Sequence, residues 1–215
     1  MEFTERVGHA YFFAKKYVIS KGYFNEIDWQ NRINYHLLTE QDFLQEIAWV
    51  ILASGLNDKV VQVKFPFIKK SMLEFKSANL IVENKIECFD NAIQQFNHSG
   101  KINAIIRAAE KLAIESFEKV KSFIDSDGIK YLKTFNYIGD VTSYHLAKNI
   151  GLNFAKPDRH LSRMSIALGF SSPAELCKRI SDEFEEKMSI VDLILWRYAT
   201  LDKKYLEKIE RLVGK

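Results

Sequence analysis

Apolar residues recur at spacings of three and four along almost the whole chain, rather than in the alternation that is typical of strands. This spacing places apolar side chains on one face of an α-helix. Residues 39–54 show it most clearly, because Phe43 and Ile47 begin an apolar face between a capping residue, Thr39, and a terminating glycine, Gly55. The pattern therefore predicts an almost entirely helical, all-α protein.

The same periodicity predicts further helices along the rest of the chain. Ser171 or Ser172, followed by Pro173 and Glu175, is a capping residue with proline in the first helical turn, which marks one helix start clearly. No repeat, low-complexity tract or obvious linker interrupts the series, and the length allows one compact domain or two lobes around a cleft. The predicted helices lie near residues 2–20, 65–75, 85–96, 101–124, 141–150, 158–168, 173–184, 190–200 and 202–212.

Composition narrows the class of protein without identifying a function. The 215 residues carry 31 Lys and Arg against 28 Asp and Glu, and 47% are hydrophobic, which excludes a disordered or collagen-like chain. The net charge of +3 is too small to indicate a polyanionic partner by itself. The longest apolar runs are far shorter than the roughly 20 residues of a membrane span, and the first residues are typical of a charged helix rather than a signal peptide. A cytoplasmic location is therefore expected.

The two cysteines, Cys88 and Cys177, have no second Cys or His at ligand spacing beside them. This excludes an iron–sulfur cluster and a zinc ribbon. The number of cysteines alone does not exclude a disulfide between Cys88 and Cys177, but buried free thiols in a reducing compartment are favoured.

The segment from residue 131 to residue 170 carries the candidate chemistry. Gly139 lies between two predicted helices, where a glycine lets the backbone approach a ligand and where free N–H groups suit an anion such as a DNA phosphate. Asp158 follows Pro157 and begins the next helix, a position at which the helix dipole favours a carboxylate. Taken singly, these features are also typical of an ordinary helix start and an ordinary helix cap.

In this order, the segment resembles the helix-hairpin-helix DNA glycosylases, which include endonuclease III and the adenine-mismatch, 8-oxoguanine and alkylpurine glycosylases. Their signature is a hairpin of the form L-P-G-V-G-x-x-T-A, a helix that ends in Gly, and a loop into V-D-x-H-V-x-R. Similar residues also lie upstream, at Leu52, Asp58, Lys59 and Val60 and at Gly100, Lys101, Ala104 and Ile105. The matching residues of the signature are Phe135, Ile138, Gly139, Thr142, Ser143, Gly151, Asp158, His160, Leu161 and Arg163.

The resemblance implies two helical lobes around a DNA-binding cleft within one domain spanning residues 1–215. One lobe is expected at about residues 40–135. The N-terminal helix and about residues 136–215, which include the hairpin, are expected to form the other. The implied partner is double-stranded DNA that contains a damaged or modified base. The protein is expected to be a monomer without a membrane partner, associated with the nucleoid if the source is prokaryotic.

The resemblance also implies roles for individual residues. Asp158 would stabilise positive charge on the sugar during cleavage of the N-glycosidic bond. Bifunctional relatives place a lysine immediately before the hairpin threonine, where this chain has Val141, so a monofunctional glycosylase is expected. Neither a cofactor nor a metal is required, although some relatives hold a monovalent cation at the hairpin. The remaining roles are contact with DNA phosphate by the hairpin at Ile138, Gly139, Val141 and Thr142; filling of the gap left by the flipped base by Leu56 or Asn57; a base pocket at Trp196 and Tyr198; and phosphate contacts from Lys156 and Arg159.

Several alternatives stay open from the sequence. Loss of the lysine favours alkylated purines as the excised base, and 8-oxoguanine is the alternative substrate. A helix-hairpin-helix module that binds DNA without chemistry is the rival from another functional class, and Asp158 favours the enzyme over it. The third alternative is an unrelated all-helical interaction protein, in which case the residues that match the signature in order would do so by chance.

Overall fold

The structure, a computed structural model, describes residues 3–56 and 58–214. These residues form fourteen α-helices and two short 3-10 helices, and none of them lies in a β-strand. The predicted all-α class is therefore confirmed. The chain divides into two compact units, one of Asn34–Ile150 and one that combines Met1–Ile33 with Gly151–Lys215.

Helices α3 to α10 belong to the unit Asn34–Ile150. Helix α3 packs against α4, α7 and α10, and α7 also packs against α5, α6 and α8. Phe43, Ile47 and Ile51 of α3 are completely buried. The helices are α3 Glu40–Ala53, α4 Asp58–Ser71, α5 Ala78–Glu83, α6 Lys85–Gln95, α7 Ser99–Glu115, α8 Phe117–Asp127, α9 Ile129–Leu132 and α10 Thr142–Asn149, with 3-10 helices at Tyr35–Leu37 and Leu73–Phe75.

The other unit is built around α13, a largely apolar helix. Helices α1, α2, α11 and α12 all pack against α13. Val191 and Ile194 of α13 and Leu161 of α11 have no exposed surface within this core. The helices are α1 Phe3–Ser20, α2 Phe24–Arg32, α11 Arg159–Ala167, α12 Pro173–Phe184, α13 Met188–Leu201 and α14 Tyr205–Val213.

The predicted helices are present, but several of their bounds differ. The prediction at residues 39–54 agrees closely, because Thr39 caps α3 in a capping box with Asp42. The predicted helix at residues 101–124 is instead two helices, α7 and α8, because Ser116 has a left-handed backbone with φ of 66°. Helices α2, α5 and α9 have no counterpart among the predictions.

The boundary between the units differs from the predicted lobe boundary. The resemblance groups the hairpin and the residues from about 136 onward with the C-terminal part of the chain. In the structure, residues 136–150 belong to the unit Asn34–Ile150, because α10 packs against α3 and α9. The C-terminal segment of the other unit begins at Gly151, which follows α10 and has a φ of 94°. Within the described residues, no helix has both the length and the apolar character needed to cross a membrane.

Candidate functional site

The hairpin is a tight turn between α9 and α10, clamped by the hydroxyl of Thr142. This hydroxyl accepts a hydrogen bond from the Gly139 amide at 2.7 Å and donates one to the Tyr137 carbonyl at 3.1 Å. Ile138 is buried, with 3% of its surface exposed. Gly139, Asp140 and Val141 are exposed. The four predicted hairpin residues are therefore together in one turn that its own side chains hold in shape.

The first turn of α10 presents backbone N–H groups without protein partners. Val141 is the N-cap, and no side chain caps the helix. The amides of Asp140, Val141 and Thr142 make no hydrogen bond with any described residue. A Cβ added to Gly139 would meet no heavy atom within 4 Å beyond its chain neighbours. Open space in front of unpaired amides at a helix N-terminus is the arrangement that accepts an anion.

Charged side chains near the turn include one carboxylate that would oppose an anion. The Asp140 carboxylate accepts a hydrogen bond from the Lys133 ammonium at 2.5 Å, and this pairing lowers the pKa of the Asp140 carboxyl. Lys130 is also exposed one turn before Lys133. The pairing offsets much of the repulsion that an isolated Asp140 would exert on a phosphate.

Tyr137 stands where the hairpin signature quoted above has its first glycine, and it has a positive φ of 65°, a backbone that favours glycine. Its ring meets the His98 ring edge-on at 6.0 Å between centroids. A Cβ at Gly100 would lie 2.5 Å from the Tyr137 hydroxyl oxygen, so Gly100 leaves room for this side chain. Packing against His98 and Gly100 thus offsets the cost of the left-handed conformation, which is about 1–2 kcal/mol for an L-residue.

This strain predicts an unusual ranking of two variants. Both Tyr137→Gly and Tyr137→Ala lose the ring, but only glycine adopts a positive φ without strain. We expect Tyr137→Gly to be more stable than Tyr137→Ala by about 1 kcal/mol in urea unfolding. Asn136, whose φ is not positive, is the matched control, and there the alanine variant should be the more stable. Equal stabilities at position 137 would contradict the strained turn.

The turn after α3 carries the residues predicted to fill the gap in DNA. Leu56 is 42% exposed and follows Gly55, whose φ is 72°. Asn57 lies outside the described residues. The side chain of Lys101, only 2% exposed, donates to the carbonyl of Leu52 at 2.7 Å and to that of Ser54 at 2.6 Å. Burial lowers the pKa of Lys101, while the two carbonyls stabilise its charge at the C-terminal end of α3. Lys101 therefore anchors the start of this turn.

Asp158 is the N-cap of α11. Its Oδ1 accepts hydrogen bonds from the amides of His160 at 2.8 Å and Leu161 at 3.0 Å. No described residue donates to Oδ2, and the side chain is half-buried. The carboxylate therefore has a structural role on one oxygen and an available second oxygen. Asp158 belongs to the unit that contains Gly151–Lys215, whereas the hairpin belongs to Asn34–Ile150.

The residues beside Asp158 differ in exposure. Arg159 is exposed, and its Nε donates to the Nε2 of His160 at 3.4 Å. Lys156 is half-buried, and its backbone amide donates to the Asp192 carboxylate. The ring of His160 contacts Tyr205, with 3.3 Å between Nδ1 and the phenol oxygen, and burial lowers the pKa of His160. Both predicted phosphate contacts thus flank Asp158, and Arg159 is the more accessible of the two.

The predicted base pocket at Trp196 and Tyr198 is not an open aromatic surface in this structure. Tyr198 has 0% of its surface exposed and packs edge-on against Phe13 and Tyr17 of α1. The Trp196 ring packs under the Arg197 guanidinium at 4.6 Å. The predicted stacking of Tyr198 on a base therefore needs correction, because packing of α1 on α13 buries this ring.

Metal-ligating side chains are not clustered in the part of the chain that the structure describes. Within residues 3–56 and 58–214, no group of three or more His, Cys, Asp and Glu side chains is arranged to hold a metal ion. The hairpin carbonyls of Phe135, Tyr137 and Gly139 each accept a hydrogen bond inside the hairpin. Both cysteines are free and buried, which agrees with the expectation of free thiols.

Comparison of the chain with protein-family models, curated proteins and solved structures gives no match.

Proposed function

We propose that this chain is a monofunctional DNA glycosylase, which hydrolyses the N-glycosidic bond of a damaged or modified base in double-stranded DNA. One observation carries the proposal: the open helix start at Thr142 is followed, at the next helix start, by the half-buried carboxylate of Asp158. This is the order in which the helix-hairpin-helix glycosylases place a phosphate-binding hairpin and a catalytic aspartate.

The hairpin would bind the DNA backbone. The unpaired amides of Asp140, Val141 and Thr142 supply donors for a phosphate, and the bare Gly139 leaves space for it. Phosphate contacts of this kind fix the register of a protein on DNA without reading its sequence. Leu56, on the turn anchored by Lys101, is the described candidate for filling the gap left by a flipped base.

Asp158 would supply the chemistry. Breaking the N-glycosidic bond leaves positive charge on the sugar, and a nearby carboxylate stabilises that oxocarbenium-like transition state. The hydrogen bonds to Oδ1 hold the carboxylate, and Oδ2 is available to face the sugar or to orient the attacking water. The base departs with the electrons of the N-glycosidic bond and the oxygen of water adds to the sugar carbon. The proton that this water loses passes to the Asp158 carboxylate and then to solvent, which leaves an abasic site.

The sugar–phosphate chain should stay intact after excision. Val141 lies where bifunctional relatives have a lysine, and a valine side chain has no amine to form a Schiff base with the sugar. Alkylated purines are the first candidate bases, because their positive charge makes them good leaving groups. Oxidised guanine is the second.

The proposal is tested with purified protein and a panel of duplexes, each carrying one modified base. We expect alkali to cleave at least one damaged duplex and not the undamaged control, and we expect no strand break without alkali. Borohydride should trap no covalent protein–DNA adduct. A trapped adduct would show that another amine of the protein forms the Schiff base in place of the lysine that is absent at Val141. Absence of cleavage across the panel would overturn the enzyme assignment.

The hairpin predicts a loss of DNA affinity that leaves the fold intact. Gly139 does not have a positive φ, and a side chain there meets open space, so Gly139→Val should fold normally. The branched side chain would instead obstruct a phosphate at the amides. We expect Gly139→Val to weaken binding to an abasic-analogue duplex by about 10-fold or more, with Gly139→Ala intermediate. Unchanged affinity in a folded valine variant, measured at one fixed salt concentration, would remove the hairpin from the interface.

A DNA-binding module without catalysis is the second candidate. It is favoured by the use of Asp158 Oδ1 as a helix cap, which accounts for an acidic residue at this position without any chemistry. The two candidates differ in one measurement: the module binds DNA through the hairpin but excises no base.

A further inference from the structure

The acidic residue Asp192 is buried in an apolar helix. It lies in the second turn of α13 and is only 1% exposed, between Val191 and Leu193 of the core. Burying a carboxylate destabilises the fold unless hydrogen bonds and charges compensate it. An apolar residue would fill this place at lower cost to the fold. One contact of the Asp192 carboxylate, a hydrogen bond with the backbone of Lys156, indicates its role.

Asp192 holds the loop that leads to Asp158. Its Oδ1 accepts a hydrogen bond from the Lys156 amide at 2.7 Å. The carbonyl of the same residue, Lys156, accepts one from the Asp158 amide at 2.8 Å. Pro157 lies between them and restricts the backbone further. Asp192 is thus linked to the Asp158 backbone through one residue, Lys156.

A second contact ties the same loop to α13 farther from Asp158. The Ser189 amide donates to the Asn153 Oδ1 at 3.3 Å, one turn before Asp192 along the helix. This longer bond anchors the beginning of the loop, and the shorter bond of Asp192 anchors its end. The two contacts therefore provide a matched pair on one loop, only one of which is close to the candidate catalytic carboxylate.

We propose that Asp192 is a positioning residue, which fixes the placement of the Asp158 carboxylate by holding the backbone of Lys156. The inference rests on the proposed function for its kinetic consequence, but its structural part does not depend on catalysis. Displacing a reacting group by about 1 Å costs as much as 10²-fold in rate. Because Asp192 is only 1% exposed, it would not touch bound DNA, so its effect should appear in the chemical step and not in DNA binding.

Three variants separate this role from a general contribution to stability. Asp192→Leu keeps an apolar packing volume and removes the acceptor. Asp192→Asn keeps an oxygen that accepts from the Lys156 amide, so it should restore the wild-type behaviour. Asn153→Ala removes the other anchor and is the matched control. If Asp192→Leu does not fold, Asp192→Ala takes its place in every measurement.

The first readout is amide hydrogen exchange by NMR, which needs no catalytic activity. We expect Asp192→Leu to accelerate exchange by about 10-fold or more at the amides of Lys156, Asp158, His160 and Leu161. In Asp192→Asn and Asn153→Ala, exchange at the amides of Asp158, His160 and Leu161 should stay near the wild-type rate. Unchanged exchange at Asp158, His160 and Leu161 in the leucine variant would overturn the proposal. So would an equal acceleration in Asn153→Ala.

The second readout is the single-turnover excision rate at saturating protein. We expect Asp192→Leu to lower this rate by about 10–100-fold with the Kd for DNA within about 3-fold of wild type, and Asp192→Asn to retain most of the rate. A parallel loss of DNA binding would contradict a positioning role. If wild-type protein excises no base while the exchange results are as expected, the proposed function fails and the placement of Asp158 by Asp192 stands.

Discussion

Asp158→Asn is expected to lower the excision rate by about 10²–10³-fold while the fold is retained. The substitution removes the negative charge that would stabilise the sugar cation, and loss of one preorganised electrostatic group typically has this effect. The helix cap survives, because asparagine is as good an N-cap as aspartate and its Oδ1 can accept from the His160 and Leu161 amides. Single-turnover kinetics on the excised duplex measure the rate.

Two further variants make this result specific. Asp158→Ala removes the cap as well as the charge, so it should lose excision and about 1 kcal/mol of unfolding free energy. Asp182→Asn, an exposed acid on α12 in the same unit, should change neither. An Asp158→Asn protein that excises at the wild-type rate would remove Asp158 from the mechanism and favour the cap as its whole role.

The elements that could be predicted from sequence are those in which local signals agree. Helix α3 has an apolar face that begins one turn after a capping threonine, and its observed bounds match the prediction closely. The break between α7 and α8 gives no such signal. The apolar periodicity continues across it, from Leu112 to Phe117 and Val120, and a serine with a positive φ ends the helix.

Buried polar side chains are the parts of the site that the sequence does not place. Lys101 bonds the carbonyl of Leu52, which is 49 residues away, and periodicity alone indicates neither partner. An acid within an otherwise apolar run, as at Asp192, is a signal that these positions are unusual. The burial of Tyr198 is a tertiary effect of the same kind, since residues of α1 cover it.

Residue order predicts the hairpin, yet its conformation follows from packing. The sequence has Tyr137 in place of a glycine, which suggests a different turn. In the structure Tyr137 has a positive φ of 65°, and contacts of its ring with His98 and the bare Gly100 compensate the strain. These contacts come from residues about 40 positions earlier in the chain, so residue order within the turn does not indicate them.

Glu46 on α3 predicts a loss of stability as the pH rises. Burial raises the pKa of Glu46 from 4.5 to about 7, with a smaller effect in the same direction from Asp42, while the amide of Asn149, 2.9 Å from Oε2, opposes the rise. Between these two pH values the folded protein keeps a proton that the unfolded chain has released. Stability contributed by the protonated group is therefore full below about pH 4.5 and is lost as the pH rises through about 7.

Glu46→Gln should remove this dependence, because glutamine resembles the protonated acid and still offers an oxygen to Asn149. A tenfold difference in proton affinity between the folded and unfolded chains corresponds to about 1.4 kcal/mol, and partial exposure of the side chain reduces the total effect to about 1–3 kcal/mol. We expect the unfolding free energy of Glu46→Gln, relative to wild type, to rise by this amount between about pH 5 and pH 8 in urea titrations. Glu118→Gln, at an exposed glutamate of α8, controls for the change in net charge. A difference between Glu46→Gln and wild type that stays constant over this pH range would show that Glu46 titrates alike in the folded and unfolded chains.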